Sequence, residues 1–436
     1  MTFRTLPGFR DFAPDDLAFR AHIFGVWRRV ATRYGFEEYD GPPLEPLDLY
    51  TAKSGDEIIG QLYNFTDKGG REVSLRPEMT PTLARMVAEH ANGLKKPIRW
   101  FSIPQLFRYE RQQRGRLREH FQLNCDLIGE AGPLADAEVI ALAIDVMREL
   151  GLTSQDFKVR LSDRRLLDGV FAALEIHPQH RPLLMHALDK LGRTEYAGRK
   201  EAFLGAAGAD RLPALELVEG LREWRSWDAL AAALADYPAA IETGRPLQQA
   251  VAALAAMGLG DYIELDLSIV RGLAYYTGTV FELFDTQRSL RAICGGGRYD
   301  TLLANLGGVD LPALGFGMGD VVLGELLKER GLKPEAPPRV DLFVASVTAE
   351  DAPFVLAIVH QLRDAGFRAE YAFHAAGLGK QLKLADARGA RLAVVVGPDD
   401  RARGEVQLKD LVAKTQVGVL LADLVNKCGD LLSRNS

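Results

Sequence analysis

Cysteine is scarce in this chain. Three are spread over 436 residues, Cys125, Cys294 and Cys428, and no C-x-x-C pair occurs. That spacing argues against a disulfide framework or a cysteine-bound zinc, and it fits a reducing cytoplasm. No run of about twenty apolar residues is present, so no segment reads as a membrane-spanning helix. The start, Met1-Thr2-Phe3-Arg4-Thr5-Leu6-Pro7, has no apolar stretch of signal-peptide length. A strong excess of one charge is also missing. With 53 basic and 59 acidic residues the formal net charge is −6. Bulk charge therefore does not advertise a nucleic-acid partner, and any such binding must use local basic patches. What remains is the make-up of a globular protein, 47% hydrophobic and 26% charged, in a chain long enough for two or three domains.

Against that even background one segment is concentrated. Between Arg108 and Arg118 stand five arginines and a single glycine, Gly115. Before it, Ile98–Ile103 is β-branched and aromatic. After it, Phe121, Leu123, Cys125 and Leu127 alternate with Gln122, Asn124 and Asp126, the period of a half-buried strand. The reading is two antiparallel strands joined by an arginine-rich loop. An arginine fork holds a carboxylate or phosphate by two parallel hydrogen bonds, so several forks on one hairpin suit a triphosphate or a nucleic-acid backbone. The plainer reading is a solvated, charged hairpin tip. Gln122 and Asp126, an even number of residues apart, share one strand face.

Elsewhere the patterning is coarser. Residues 14–35 read as a helix with Asp15 and Asp16 near its start and Gly35 closing it. Pro42, Pro43 and Pro46 force an extended segment. A hairpin is expected around Lys68-Gly69-Gly70-Arg71, with helices over about 81–91 and 134–151. Residues 165–255 are rich in Ala and Leu and read as several helices, with Leu217/Leu221 and Leu230/Leu234 each one turn apart. Strand sequence returns at Tyr262–Asp266 and runs through Gly295-Gly296-Gly297 and Gly315-Phe316-Gly317-Met318-Gly319, then a helix covers about 320–331. Gly331 to Pro338 is a linker. Beyond it, strands at 340–345, 368–373 and 392–396 alternate with helices at 350–366 and 379–389, which predicts a parallel-rich sheet with flanking helices.

Four segments, in this order, carry a resemblance. They are Leu75-Arg76-Pro77-Glu78-Met79-Thr80, the arginine loop 107–123, Arg271-Gly272-Leu273-Ala274-Tyr275-Tyr276-Thr277-Gly278, and Gly295-Gly296-Gly297-Arg298-Tyr299-Asp300. Together they resemble the amino-acid-site loop, motif 2 and the two histidine-specific motifs of class II aminoacyl-tRNA synthetases of the histidyl type. Pro42–Tyr50 resembles motif 1, which in that class builds the dimer interface. The tail, with Gly379–Asp386 and Ala402–Asp410, resembles an anticodon-binding domain.

The resemblance implies a mixed α/β (α+β) fold: a class II antiparallel-sheet catalytic domain with a helical insertion, and a C-terminal α/β anticodon-binding domain. The implied divisions are 1–165 with motifs 1 and 2, 166–255 for the insertion, 256–331 with the histidine motifs and motif 3, and 338–436 for the tail. It implies a cytoplasmic homodimer, off the membrane, that uses ATP with Mg2+, histidine and tRNA-His, and it implies no resident protein-bound metal. It also implies roles. Arg108 would contact the α-phosphate and the reacting carboxylate, Glu110 the adenine amine and Arg116 the γ-phosphate. Glu78, Thr80, Gln122 and Asp126 would grip the substrate α-amino group. Arg271 would face the α-phosphate and carboxylate opposite Arg108. Tyr276 and Tyr299, with Tyr275 beside them, would form the imidazole pocket. The glycines of motif 3, Gly317 and Gly319 among them, would let the backbone approach adenosine. Ordinary strand core is the plainer reading of the tyrosines, and a solvated strand face that of Gln122 and Asp126. Arg114 and Arg118 are candidate tRNA contacts.

Two positions depart from the family pattern. Motif 3 normally ends with an arginine that stacks on adenine, but here the chain runs Gly319-Asp320-Val321-Val322-Leu323. Ala274 stands where an acidic residue is common. The first departure favours a second function, a non-catalytic histidyl-synthetase-like regulatory subunit of the ATP phosphoribosyltransferase type. The retained Arg108, Arg116, Arg271 and tyrosines, and the anticodon-type tail, favour the ligase. A histidine-sensing module of a kinase is the third reading, and no kinase sequence accompanies it.

Overall fold

The computed structural model describes residues 3–51, 60–111, 113–191, 194–269, 276–287, 290–335 and 339–433. It divides into two compact units, Met1–Pro334 and Glu335–Ser436.

The first unit is organised on one sheet. Its strands are β1 (Glu37–Glu38), β5 (Ile98–Ser102), β6 (Gln105–Phe107), β7 (Glu119–Ile128), β8 (Phe157–Asp163), β9 (Ile263–Leu265), β10 (Thr279–Asp285), β11 (Cys294–Arg298) and β12 (Ala313–Gly319). A second sheet uses β2 (Leu44–Pro46), β3 (Tyr63–Thr66) and β4 (Glu72–Leu75). In the large sheet the order is β1-β5-β7-β12-β11-β10-β8-β9, with β6 also paired to β7. The inner pairs from β5 to β8 are antiparallel, and only the outer pairs β1/β5 and β8/β9 are parallel. The expected antiparallel partner of β7 is β5. The strand that feeds directly into the arginine loop, however, is the short β6, which pairs Phe107 with Glu119.

Sequence period explains which face each element buries. The Pro14–Arg33 helix starts with proline at its first position and two aspartates in its first turn, both favourable at a helix N-terminus. It buries Phe19, Ile23, Val26, Trp27 and Val30, a stripe at helical spacing. The Pro133–Glu149 helix buries nearly every apolar residue from Ala135 to Met147, because it is covered on several sides. Both pack on the face of the sheet that carries Leu123, Cys125 and Leu127 of β7. The opposite face of β7 is not solvated as its alternation predicts. Asn124 and Asp126 are buried as well, because the glycine-rich neighbouring strand lets polar side chains pack over it.

Among the described residues seven α-helices fill Arg164–Ala256, and buried side chains from them join the same core as the sheet. Asp163 caps the first of them, accepting from the N–H groups of Arg165 and Leu166. Leu230 and Leu234 are buried as the spacing predicts. In the Leu212–Glu219 helix the buried residues are instead Leu215 and Val218, while Leu217 is half-buried and Leu221 has already left the helix in a 3-10 turn. The β3–β4 turn matches its sequence. The Asp67 carboxylate accepts from the N–H of Gly69 at 2.8 Å and of Arg71 at 2.9 Å, and Gly70 takes φ +78°.

The second unit has strands β13 (Leu342–Ser346), β14 (Ala369–Tyr371), β15 (Leu392–Val396), β16 (Glu405–Asp410) and β17 (Thr415–Leu420) in the order β14-β13-β15-β16-β17. The first three are parallel, as alternation with helices predicts, but the last two close the sheet as an antiparallel hairpin. The alternating burial of Glu405–Asp410 carries that signal. No described helix is long and apolar enough to cross a membrane.

Candidate active site

The arginine loop is a narrow hairpin. The Arg108 N–H donates to the Arg118 carbonyl at 2.9 Å, and Gln113 bridges Arg116 around Gly115, whose φ of +72° is costly for other residues. Its arginines do different work. Arg118 lies 4.1 Å over the Tyr109 ring. Arg114 reaches the helix Asp320–Glu329 and pairs with Glu325 at 3.4 Å and with Glu329. Arg116 pairs with Glu110. Arg108 turns the other way, and its Nε donates to the Pro77 carbonyl at 2.9 Å. That bond ties motif 2 to the loop holding Glu78 and to Thr80, the first residue of the next helix.

A cavity of about 320 Å³ opens beside this hairpin, lined by Arg108, Glu110, Arg116, Gln122, Gly317 and Gly319 among others. All six are among the residues singled out in the sequence, and the β7/β12 pairing helps to bring them to one cavity. Three further liners were not singled out in the sequence. Arg291 and Ile293 precede β11, and His120 lies on β7. Burial, reinforced by the charges of Arg108 and Arg10, pushes the His120 imidazole down to about 3, so the ring is neutral at physiological pH. Arg116 is drawn below the usual guanidinium range by burial and by its neighbours Arg291 and Arg108. It remains a cation at neutral pH. The described residues lining the cavity thus set three arginines against one carboxylate, which suits a polyanion.

The glycines do more than admit a ligand. A Cβ at Gly317 would sit 2.6 Å from the Gln122 amide carbon, and one at Gly315 would sit 2.2 Å from an Asp126 oxygen. Bare backbone on β12 is therefore what lets the two β7 side chains lie across it. Gly296 is hemmed in by backbone. Its Cβ would lie 2.4 Å from the Gly315 carbonyl oxygen and 2.7 Å from the Phe281 ring. Backbone on a paired strand cannot give way, so Gly296→Ala is expected to destabilise the fold by about 1–3 kcal/mol. Urea unfolding checks this, and an unchanged midpoint would refute it.

Asp126 is separate from that cavity. It is buried, and the Tyr299 hydroxyl donates to it. Burial pushes its carboxyl up to about 7, against the lowering effect of the tyrosine bond. Tyr276 and Tyr299 pack together with Leu83, Ala84 and Val87 of the Thr80–His90 helix. Arg298, between them in the second motif, serves the scaffold. Its guanidinium is buried and pairs with Asp136 at 2.7 Å and Asp300 at 3.2 Å. Asp320, in the altered motif 3, accepts from Arg10 at 2.9 Å and from the Phe121 N–H at 2.9 Å, fastening the helix start to β7. Arg271 and Tyr275 lie outside the described residues. Among the described residues no group of three or more His, Cys, Asp or Glu side chains could hold a metal ion.

The histidyl-tRNA synthetase family model matches residues 8–319, and an anticodon-binding-domain model matches 341–431. A histidine–tRNA ligase of Opitutus terrae is 48% identical over 421 residues, covering 96% of each chain. One from Leptospira biflexa is 37% identical, covering 100% of this chain and 99% of the relative. The crystal structure of histidyl-tRNA synthetase from Nostoc sp. PCC 7120 superposes with a TM-score of 0.80 at 27% identity, over 99% of both chains. With the match running through the hairpin, the glycine strands and the tail alike, this chain belongs to the histidyl-tRNA synthetase family.

Proposed function

We propose that the chain is a histidine–tRNA ligase. It joins histidine to the α-phosphate of ATP, releases pyrophosphate, and transfers the histidyl group to the 3′ end of tRNA-His. The observation that carries this reading is the cavity in which Arg108, Arg116 and Arg291 converge beside Glu110. Attack of one anion on another needs charge neutralisation and alignment more than a covalent nucleophile. Arg108 serves both partners, a role supported by its Nε bond to the Pro77 carbonyl in the amino-acid loop and by its position in the cavity lining. Arg116, braced by Glu110, serves the far phosphates, and Mg2+ arrives on the triphosphate as part of the substrate. Arg271 acts opposite Arg108, a role that rests on the family resemblance.

Glu78, Thr80 and Gln122 serve the α-amino group. Asp126, which the resemblance assigns to the α-amino group, serves the imidazole ring in this reading. Its bond to Tyr299 groups it with the tyrosines, and a buried carboxylate is the acceptor an imidazole N–H requires. The protein works as a homodimer through the segment around Pro42–Tyr50, and the tail binds the anticodon end of the tRNA.

The test is ATP–pyrophosphate exchange with each of the twenty amino acids, followed by charging of tRNA-His. Histidine alone should support exchange. Binding of histidine without any exchange would favour the regulatory function instead, and exchange with a different amino acid would overturn the assignment.

A further inference from the structure

The family's motif 3 arginine is absent, yet the cavity is rich in cations, and one of them has no place in any of the motifs. The β11/β12 register pairs Cys294 with Met318 and Gly295 with Gly317. The Gly319 N–H donates to the Ile293 carbonyl at 3.4 Å, which carries the same register one step further. Counted outward, that register would bring Ala292 toward Asp320 and Arg291 toward Val321. Side chains at opposed positions of an antiparallel pair lie within about 5.5 Å at Cβ. The ladder itself stops where the helix begins at Asp320, but Arg291, Val321 and Val322 all line the one cavity.

We infer that Arg291 supplies, from the adjoining strand end, the cation that Val321 lacks, and that its guanidinium lies against the adenine base of ATP. This deepens the ligase reading and rests on it. The local chemistry supports the exchange of places. Val321, Val322 and Ile293 give this end of the cavity an apolar lining, suited to the flat face of a purine. A guanidinium stacks on such a face and remains charged. Arg291 is exposed, and no described carboxylate pairs with it. It lines the same cavity as Arg116 and lies near enough for its charge to help draw that guanidinium down. Arg108 and Arg116 already serve the phosphates, and His120, neutral, offers no competing charge.

The test uses the full-length protein, with Arg291→Ala, Arg291→Lys and the double variant Arg291→Ala/Val321→Arg. Arg291→Ala should raise KM for ATP by about tenfold or more, while KM for histidine stays within about twofold. Arg291→Lys should fall between. The double variant should recover most of the loss, because it returns a cation to the same cavity from the start of the Asp320–Glu329 helix. Competition by inorganic tripolyphosphate should be unchanged in Arg291→Ala if the contact is to the base. An unchanged KM for ATP, equal losses for ATP and histidine, or no recovery in the double variant would each overturn the inference. Equal weakening of tripolyphosphate would overturn the base contact. Calorimetric titration with ATP alone reads the same variants without catalysis. If the parent protein exchanged no pyrophosphate, the ligase reading would fall, and this titration would still decide the role of Arg291.

Discussion

Arg108→Ala should lower the maximal rate of histidine-dependent pyrophosphate exchange by a factor on the order of 10² or more, the usual cost of removing one donor aimed at charge that develops in a transition state. The backbone around Arg108 is held by its own ladder bond to Arg118, so the hairpin should survive the change. What disappears is the guanidinium, anchored at Nε by the Pro77 carbonyl. Arg108→Lys separates charge from geometry. An ammonium keeps the positive charge but cannot donate to Pro77 and present a flat fork at once. It should therefore recover only part of the rate, remaining about tenfold or more below the parent. KM for ATP should move less than the maximal rate in both variants, because Arg116 still holds the triphosphate and Arg291 the base. Single-turnover formation of histidyl-adenylate checks this directly. A rate within tenfold of the parent in Arg108→Ala would remove Arg108 from the chemical step.

Much of the fold and part of the site can be read before any coordinates. The period of Phe121–Leu127 marks β7, and the arginines before it mark the hairpin, because both signals are local. The second face of β7 is harder. A solvated face is the plainer reading of Gln122 and Asp126, because alternation records only that they are polar, yet Asp126 and its neighbour Asn124 are buried. Their burial depends on glycines nearly two hundred residues away in β12. Arg291 is hidden for a like reason. It stands outside every motif, three residues before β11, and acquires meaning only when the fold brings it into one cavity with Val321. His120 is similar, since its neutral state is imposed by burial and by Arg10 from the start of the chain. In the tail, helix and strand alternation is legible to Val396. The closing hairpin β16–β17 is not, because its alternation sits inside a segment matched for its family likeness. Residues whose role depends on a neighbour distant in sequence are the ones that local pattern leaves open.

Asp126→Asn should trade activity for stability, with opposite signs that a single pH series can expose. Burial raises the Asp126 carboxyl to about 7, above its ordinary value near 3.8. Between these two values the unfolded chain gives up its proton while the folded chain keeps it. Folding stability attributable to this group is therefore fully present at low pH, declines as pH rises through that window, and levels off above about 7. The amide is neutral throughout and its oxygen can still accept from Tyr299. The variant should then exceed the parent in stability at pH 8 by on the order of a few kcal/mol, with the advantage gone near pH 4. Thermal or urea unfolding at both pH values measures it, and an advantage that grew toward low pH would contradict the assignment. Activity should move the other way. An imidazole N–H that meets an amide oxygen in place of a carboxylate loses a charge-assisted bond, so kcat/KM for histidine should drop by about 10² while KM for ATP stays near the parent value. The parent should also lose kcat/KM for histidine as pH falls below about 7, where Asp126 takes up its proton. Free histidine titrates nearby, so the difference between the parent and Asp126→Asn profiles isolates the protein group. Identical profiles would mean that Asp126 supports the fold without touching the substrate.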